Sequence, residues 1–117
     1  PLSYTMEMII PGEKGEVIME GYIKDISLAG VGGMFDDPWE YRIKEKTRVR
    51  IRLFLHKTIV TIRDVLVSRV NRSTGEIGCS CDINDHNKID EQDSDTLTSL
   101  MYTWLNQAMY EYERKFT

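Results

Sequence analysis

Apolar and polar side chains alternate with a period of two along most of the chain, the signature of strands with one buried face. In residues 2–10, Leu2, Tyr4, Met6, Met8 and Ile10 share a face, and Pro11-Gly12-Glu13-Lys14-Gly15 supplies the turn that follows. A second strand over 17–25 sets Val17, Met19, Gly21 and Ile23 against Ile18, Glu20, Tyr22 and Lys24, and it is expected to pair with the first. Residues 31–35 read as a short third strand whose glycines imply a special backbone geometry. After a connecting loop over 36–46, residues 47–55 set Val49, Ile51, Leu53 and Leu55 opposite Arg48, Arg50 and Arg52. Residues 58–70 follow a His56-Lys57 turn, and their apolar parity changes from Val60 and Ile62 to Val65 and Val67, which calls for a β-bulge near Arg63-Asp64. A turn at 71–75 then leads into 76–83, where Ile77, Cys79, Cys81 and Ile83 share a face.

The polar stretch 84–95 reads as a linker, and beyond it the period becomes helical. Leu97, Leu100, Met101, Trp104, Leu105, Ala108, Met109 and Tyr112 trace one stripe. Asp95 or Ser94 can cap its start, and Arg114-Lys115 suit the negative end of the helix dipole. The stripe fits either a lid packed on the strands or a face for a partner. Strands first and a helix last exclude an alternating α/β fold with a parallel sheet. The expectation is an all-β chain: a six-stranded antiparallel barrel over about 2–84, a linker over 85–94 and a C-terminal α-helix over about 95–115.

At 117 residues there is room for one domain with one core. The 41% hydrophobic and 29% charged content matches globular usage and excludes a disordered chain. No apolar run is long enough to span a bilayer and no signal sequence opens the chain, so a cytoplasmic location is expected. A formal charge of −4 argues against DNA as a partner. Cys79 and Cys81, two apart on one strand face, suit neither a disulfide nor a zinc site and read as small core residues.

The segment that carries chemistry is Asp25-Ile26-Ser27-Leu28-Ala29-Gly30, at the end of the second strand. A carboxylate accepts two parallel hydrogen bonds and so matches the adjacent N–H groups of a guanine, while the Ser27 hydroxyl can meet another polar atom. Gly30 lets the main chain approach closely or adopt positive φ. The same residues can equally form a turn in which Asp25 and Ser27 satisfy neighbouring backbone N–H groups.

This string, continued by Val31-Gly32-Gly33, resembles the signature of the PilZ family: Asp or Asn, any residue, Ser, two residues and Gly, after the second strand of a six-stranded barrel. The similarity extends to the strand order and the final helix. It implies a PilZ-type barrel that binds the second messenger cyclic di-GMP as its ligand, with no other cofactor, through Asp25, Ser27 and Gly30. Arg69, at the end of a strand that similar domains set beside the nucleotide, is a further candidate contact. The family also uses two arginines three residues apart as a phosphate clamp. No such pair precedes the motif, and it is expected immediately upstream of Pro1, in a flexible arm that orders on the ligand and acts on a protein partner or fused domain. In the family the outputs are motility, polysaccharide synthesis and pili. The alternative is a PilZ-like protein-interaction module that binds no nucleotide.

Other residues carry less. The Arg48, Arg50, Arg52 row reads as a solvated strand face, and Trp39 as a filler of the barrel mouth. His56 and His86 are isolated and no nucleophile elbow is present, so the chain is not expected to be an enzyme. The acidic residues of 82–95 lack the spacing of a calcium loop, so no metal site is expected.

Overall fold

The alternating segments become six strands: β1 (Thr5–Ile10), β2 (Val17–Ser27), β3 (Gly30–Phe35), β4 (Arg48–Leu55), β5 (Thr58–Asn71) and β6 (Glu76–Ser80). The computed structural model describes residues 4–36 and 43–116, with helix side chains as far as Trp104. Every pairing is antiparallel, and the sheet closes on itself in the order β1-β2-β3-β6-β5-β4. The inward positions read from the sequence form the core: Met6, Met8, Ile51, Leu53, Val60, Ile62, Val65, Val67 and Ile77 are all buried. Closure leaves no unpaired edge among the described strands, the feature through which open sheets aggregate.

Three one-residue irregularities shape the barrel. Between the pairs Val49↔Val65 and Ile51↔Ile62, Arg63 and Asp64 on β5 oppose Arg50 alone on β4. This is the bulge that the parity change in 58–70 calls for, and it keeps both Ile62 and Val65 inside. On β2, Lys24 is extra between Ile23↔Gly33 and Asp25↔Gly32; on β5, Ser68 is extra between Val67↔Cys79 and Arg69↔Gly78. Regular alternation from Met19 and Gly21 would carry Asp25 into the core, and alternation from Val65 and Val67 would do the same to Arg69. The extra residues turn both charged side chains outward and return Ile26 and Val70 to the inner side.

The stretch after β6 is not the plain polar linker expected over 85–94. Ile83 and Ile89 are fully buried, Ile89 forms an isolated bridge to Ile62, and the Arg63 amide donates to the Lys88 carbonyl at 2.7 Å. The Arg63 guanidinium pairs with Asp90 at 2.6 Å. Asp82 and Asp85 hold turns by accepting from the amides of Asn84 and Asn87. The acidic residues thus serve tight turns that bring Ile89, within the expected linker, into the core beside the expected Ile83.

The helix, α1 (Glu91–Phe116), begins four residues before the expected 95. Its first turn is polar because it lies outside the apolar stripe, and Glu91 and Asp93 there suit the positive end of the helix dipole. Ser94 is buried inside the helix and is not its cap. Leu97 enters the core, and Leu100, Met101 and Trp104 pack half-buried against it, as a lid requires. The Trp104 ring stacks on Tyr4 with centroids 6.0 Å apart, while the Tyr4 carbonyl accepts from the Ile23 amide at 2.8 Å. The side chains of Leu105, Ala108, Met109, Tyr112, Arg114 and Lys115, like residues 1–3, lie outside the described residues. Among the described residues no helix is long and apolar enough to cross a membrane.

Candidate functional site

The two outward-turned charges lie in one row across four strands. Register pairs Asp25 on β2 with Gly32 on β3, Gly32 with Gly78 on β6, and Gly78 with Arg69 on β5. At about 4.8 Å per strand, the Asp25 and Arg69 backbones stand roughly 14 Å apart, with two glycines between them. The next outward row is Ser27, Gly30, Ser80 and Leu66. Together they make a groove of about 240 Å³, lined by Asp25, Ser27, Gly30, Gly32, Ser68, Arg69, Gly78 and Ser80 among others. All four residues singled out in the sequence, Asp25, Ser27, Gly30 and Arg69, therefore meet at one concavity. Past Ala29 and Ser80 it continues into a depression of about 480 Å³ bordered by Leu28, Leu66, Arg48 and Lys88.

The motif residues have different duties. Leu28 and Ala29 form the two-residue turn between Ser27 and Gly30. Ser27 holds that turn, since its Oγ accepts from the Ala29 amide at 3.3 Å and donates to the Gly30 carbonyl at 3.5 Å. Asp25 does no such work: its exposed carboxylate has no hydrogen bond or ion pair among the described residues. The turn reading thus accounts for Ser27 and leaves Asp25 unexplained. Gly30 is not in the left-handed region; it is required by close approach, because a Cβ there would lie 2.0 Å from the Cys79 carbonyl oxygen.

No protein-family model and no curated protein matches this chain. The case for the site is therefore geometric, and it includes residues that sequence reasoning passed over. Gly32 keeps space for the acid: a Cβ there would come within 2.6 Å of Asp25 Oδ1. Its neighbour Gly78 lies under Arg69 and Ser68 in ordinary contact, since a Cβ there would stand 3.6 Å from Arg69 Cβ and Ser68 Oγ and 3.8 Å from Arg69 Nε. Ser68, the extra residue on β5, donates to the Gly78 carbonyl at 3.1 Å. At one end of the groove Glu76 pairs with both Lys24 and Arg69, the latter at 3.5 Å. The hydrogen bond from Lys24, outweighing partial burial and helped by the charges of Lys24 and Arg69, holds the Glu76 carboxyl below its ordinary 4.5.

Of the remaining candidates, Arg48 comes near this site, at the adjoining depression. Arg48 pairs with Asp64 at 3.0 Å, Arg50 with Glu16 at 2.9 Å and Arg52 with Glu7 at 3.7 Å, so the arginine row is a cross-strand ion-pair face. Both cysteines are buried and unbridged. Burial, then Cys81, pushes the Cys79 thiol up to about 12; burial, then Asp82, pushes Cys81 up to about 11, so neither is a nucleophile near neutral pH. Trp39 lies outside the described residues. Another depression of about 480 Å³ between β1 and β2 is lined, among the described residues, by Glu7, Glu20 and Asp36, with Arg52 paired to Glu7.

The Gly32 contact gives a clean test of how Asp25 is placed. Gly32→Ala meets only the tip of a flexible side chain, so the barrel is expected to unfold within about 1 kcal/mol of the parent. Any ligand held by the Asp25 carboxylate is expected to bind about tenfold more weakly as that carboxylate swings aside. Thermal unfolding and a binding titration on the same sample read the two effects separately.

Proposed function

We propose that this groove binds cyclic di-GMP and that the chain acts as an effector domain, relaying the nucleotide signal to a protein partner or fused domain. The observation that carries the reading is Asp25: an exposed, unpartnered carboxylate turned outward by a bulge onto a two-glycine floor, in line with Arg69. A guanine edge presents two adjacent N–H donors, and a carboxylate takes both in a bidentate pair. The two glycines leave room for the Asp25 and Arg69 side chains above the sheet, and Arg69, which is 63% exposed, can stack on a purine or meet a phosphate. A ligand that also orders an N-terminal arm would alter the surface beside Tyr4 and Trp104, which is how binding would become a signal. The similarity of residues 25–30 to the PilZ signature supports the choice of cyclic di-GMP among guanine ligands.

Calorimetric titration of the full-length protein tests this. Cyclic di-GMP is expected to bind saturably and to raise the unfolding temperature, whereas cyclic di-AMP, whose adenine offers an acceptor where guanine offers a donor, is expected to bind far more weakly. Equal affinity for both would remove Asp25 from guanine recognition. Absence of binding at ligand excess would sink the reading in favour of a nucleotide-independent interaction module.

A further inference from the structure

The end of the groove nearest Glu76 has an arrangement that neither fold nor guanine recognition requires. The bulge on β2 makes Lys24 and Asp25 face outward side by side, and the bulge on β5 turns Arg69 outward two strands beyond β3. Lys24 reaches across β3, and Arg69 reaches from the adjacent β5, to the same oxygen, Oε1 of Glu76 on β6. Glu76 is the well-covered member, with its side chain 14% exposed, whereas Lys24 and Arg69 remain 48% and 63% exposed. Among the described residues Arg69 has that single long contact, leaving most of its five N–H donors to solvent. A guanidinium served by one carboxylate oxygen is far from its preferred bidentate partner.

We infer that Lys24 and Arg69 form a subsite for a phosphate-class anion and that Glu76 is its resident counter-ion, displaced when the ligand's phosphate arrives. The inference rests on the functional reading for the identity of the nucleotide, but the subsite itself depends only on these three residues. A phosphate offers several oxygens to the two cations where Glu76 offers one, so exchange is favoured by geometry as well as charge. The groove then discriminates by two chemistries at once: a donor edge at Asp25 and an anion held between Lys24 and Arg69. Glu76 raises selectivity by keeping the pair neutralised against simple anions that lack the donor edge.

The test is a titration of cyclic di-GMP into the full-length parent, Glu76→Gln, Lys24→Gln and Arg69→Gln proteins at two salt concentrations. Removing the counter-ion is expected to tighten binding about three- to tenfold, with a steeper loss at high salt, because two partly exposed ion pairs no longer compete. Lys24→Gln and Arg69→Gln, which retain Glu76, are each expected to weaken binding, and adding Arg69→Gln to Glu76→Gln should erase the gain. Unchanged or weaker binding by a folded Glu76→Gln protein would overturn the inference, since Glu76 would then be a support for the cations and not their competitor. Should Glu76→Gln not fold, full parental affinity in both cation variants overturns it equally. If the parent takes up no cyclic di-GMP, the functional reading fails separately. The subsite is then judged by inorganic pyrophosphate: stabilisation of Glu76→Gln against heat that Lys24→Gln or Arg69→Gln abolishes supports it, and no stabilisation contradicts it.

Discussion

Gly30→Ala is expected to lower the unfolding temperature by roughly 10 °C, the equivalent of about 2–3 kcal/mol for a domain of this size. The new Cβ would lie 2.0 Å from the Cys79 carbonyl oxygen, 3.0 Å from its carbon and 3.2 Å from the Ser80 Cα. These are backbone atoms of the neighbouring region of β6, so relief requires the β3–β6 pairing to open where it closes the barrel. The contrast with Gly32 is instructive, since a Cβ there meets a side-chain carboxylate that can move. One glycine is held for the fold and its near neighbour for the site. Scanning calorimetry of the two variants checks this, and equal melting temperatures would refute it.

Asp25→Ala is expected to leave the melting temperature nearly unchanged and to weaken cyclic di-GMP binding about a hundredfold, corresponding to about 3 kcal/mol for two charge-assisted hydrogen bonds. The fold is spared because the carboxylate has no partner within the described residues, and exposed substitutions of that kind cost little. Asp25→Asn keeps one acceptor and replaces the other with a donor, so a loss of about tenfold is expected. Parallel titrations and melts distinguish this from a turn-stabilising role, which would shift the melting temperature and spare the binding.

The barrel was legible because period-two patterning is strong wherever one face is buried. Val49, Ile51 and Leu53 against Arg48, Arg50 and Arg52 require no other information, and the parity change in 58–70 exposed the bulge at Arg63-Asp64. The bulge at Lys24 left a fainter trace, a parity change from Ile23 to Ile26 that the apolar Ile18 and Tyr22 on the outer face obscure. Asp25 follows Ile23 with the parity of a core residue, and only the pairing with β3 reveals that an extra residue turns it outward. The same holds for Ser68 and Arg69. Linear reading therefore finds Asp25, Ser27, Gly30 and Arg69 as candidates and cannot see that they share a groove.

The floor and the counter-ion were legible only in part. Glu76, Gly78 and Ser80 alternate with Ile77 and Cys79 and so belong to one outer face, but a strand face by itself does not say what lies opposite. Closure of β3 against β6 joins Gly78 to Gly32 and brings Glu76 within reach of Lys24, a contact 52 residues apart in sequence. The helix start was misread for a different reason: its first turn carries no apolar residue, and helical periodicity is detectable only once the stripe begins at Leu97.

The central claim is that the outer groove of β2, β3, β6 and β5 is the nucleotide site, and amide chemical-shift mapping of the full-length protein tests it most directly. Titration with cyclic di-GMP is predicted to give saturable shifts concentrated at the amides of Gly30, Gly32, Gly78 and Arg69, rows apart in sequence yet adjacent across the barrel. Shifts confined to β1 and β4 on the far side, or a spectrum unchanged at ligand excess, would contradict it.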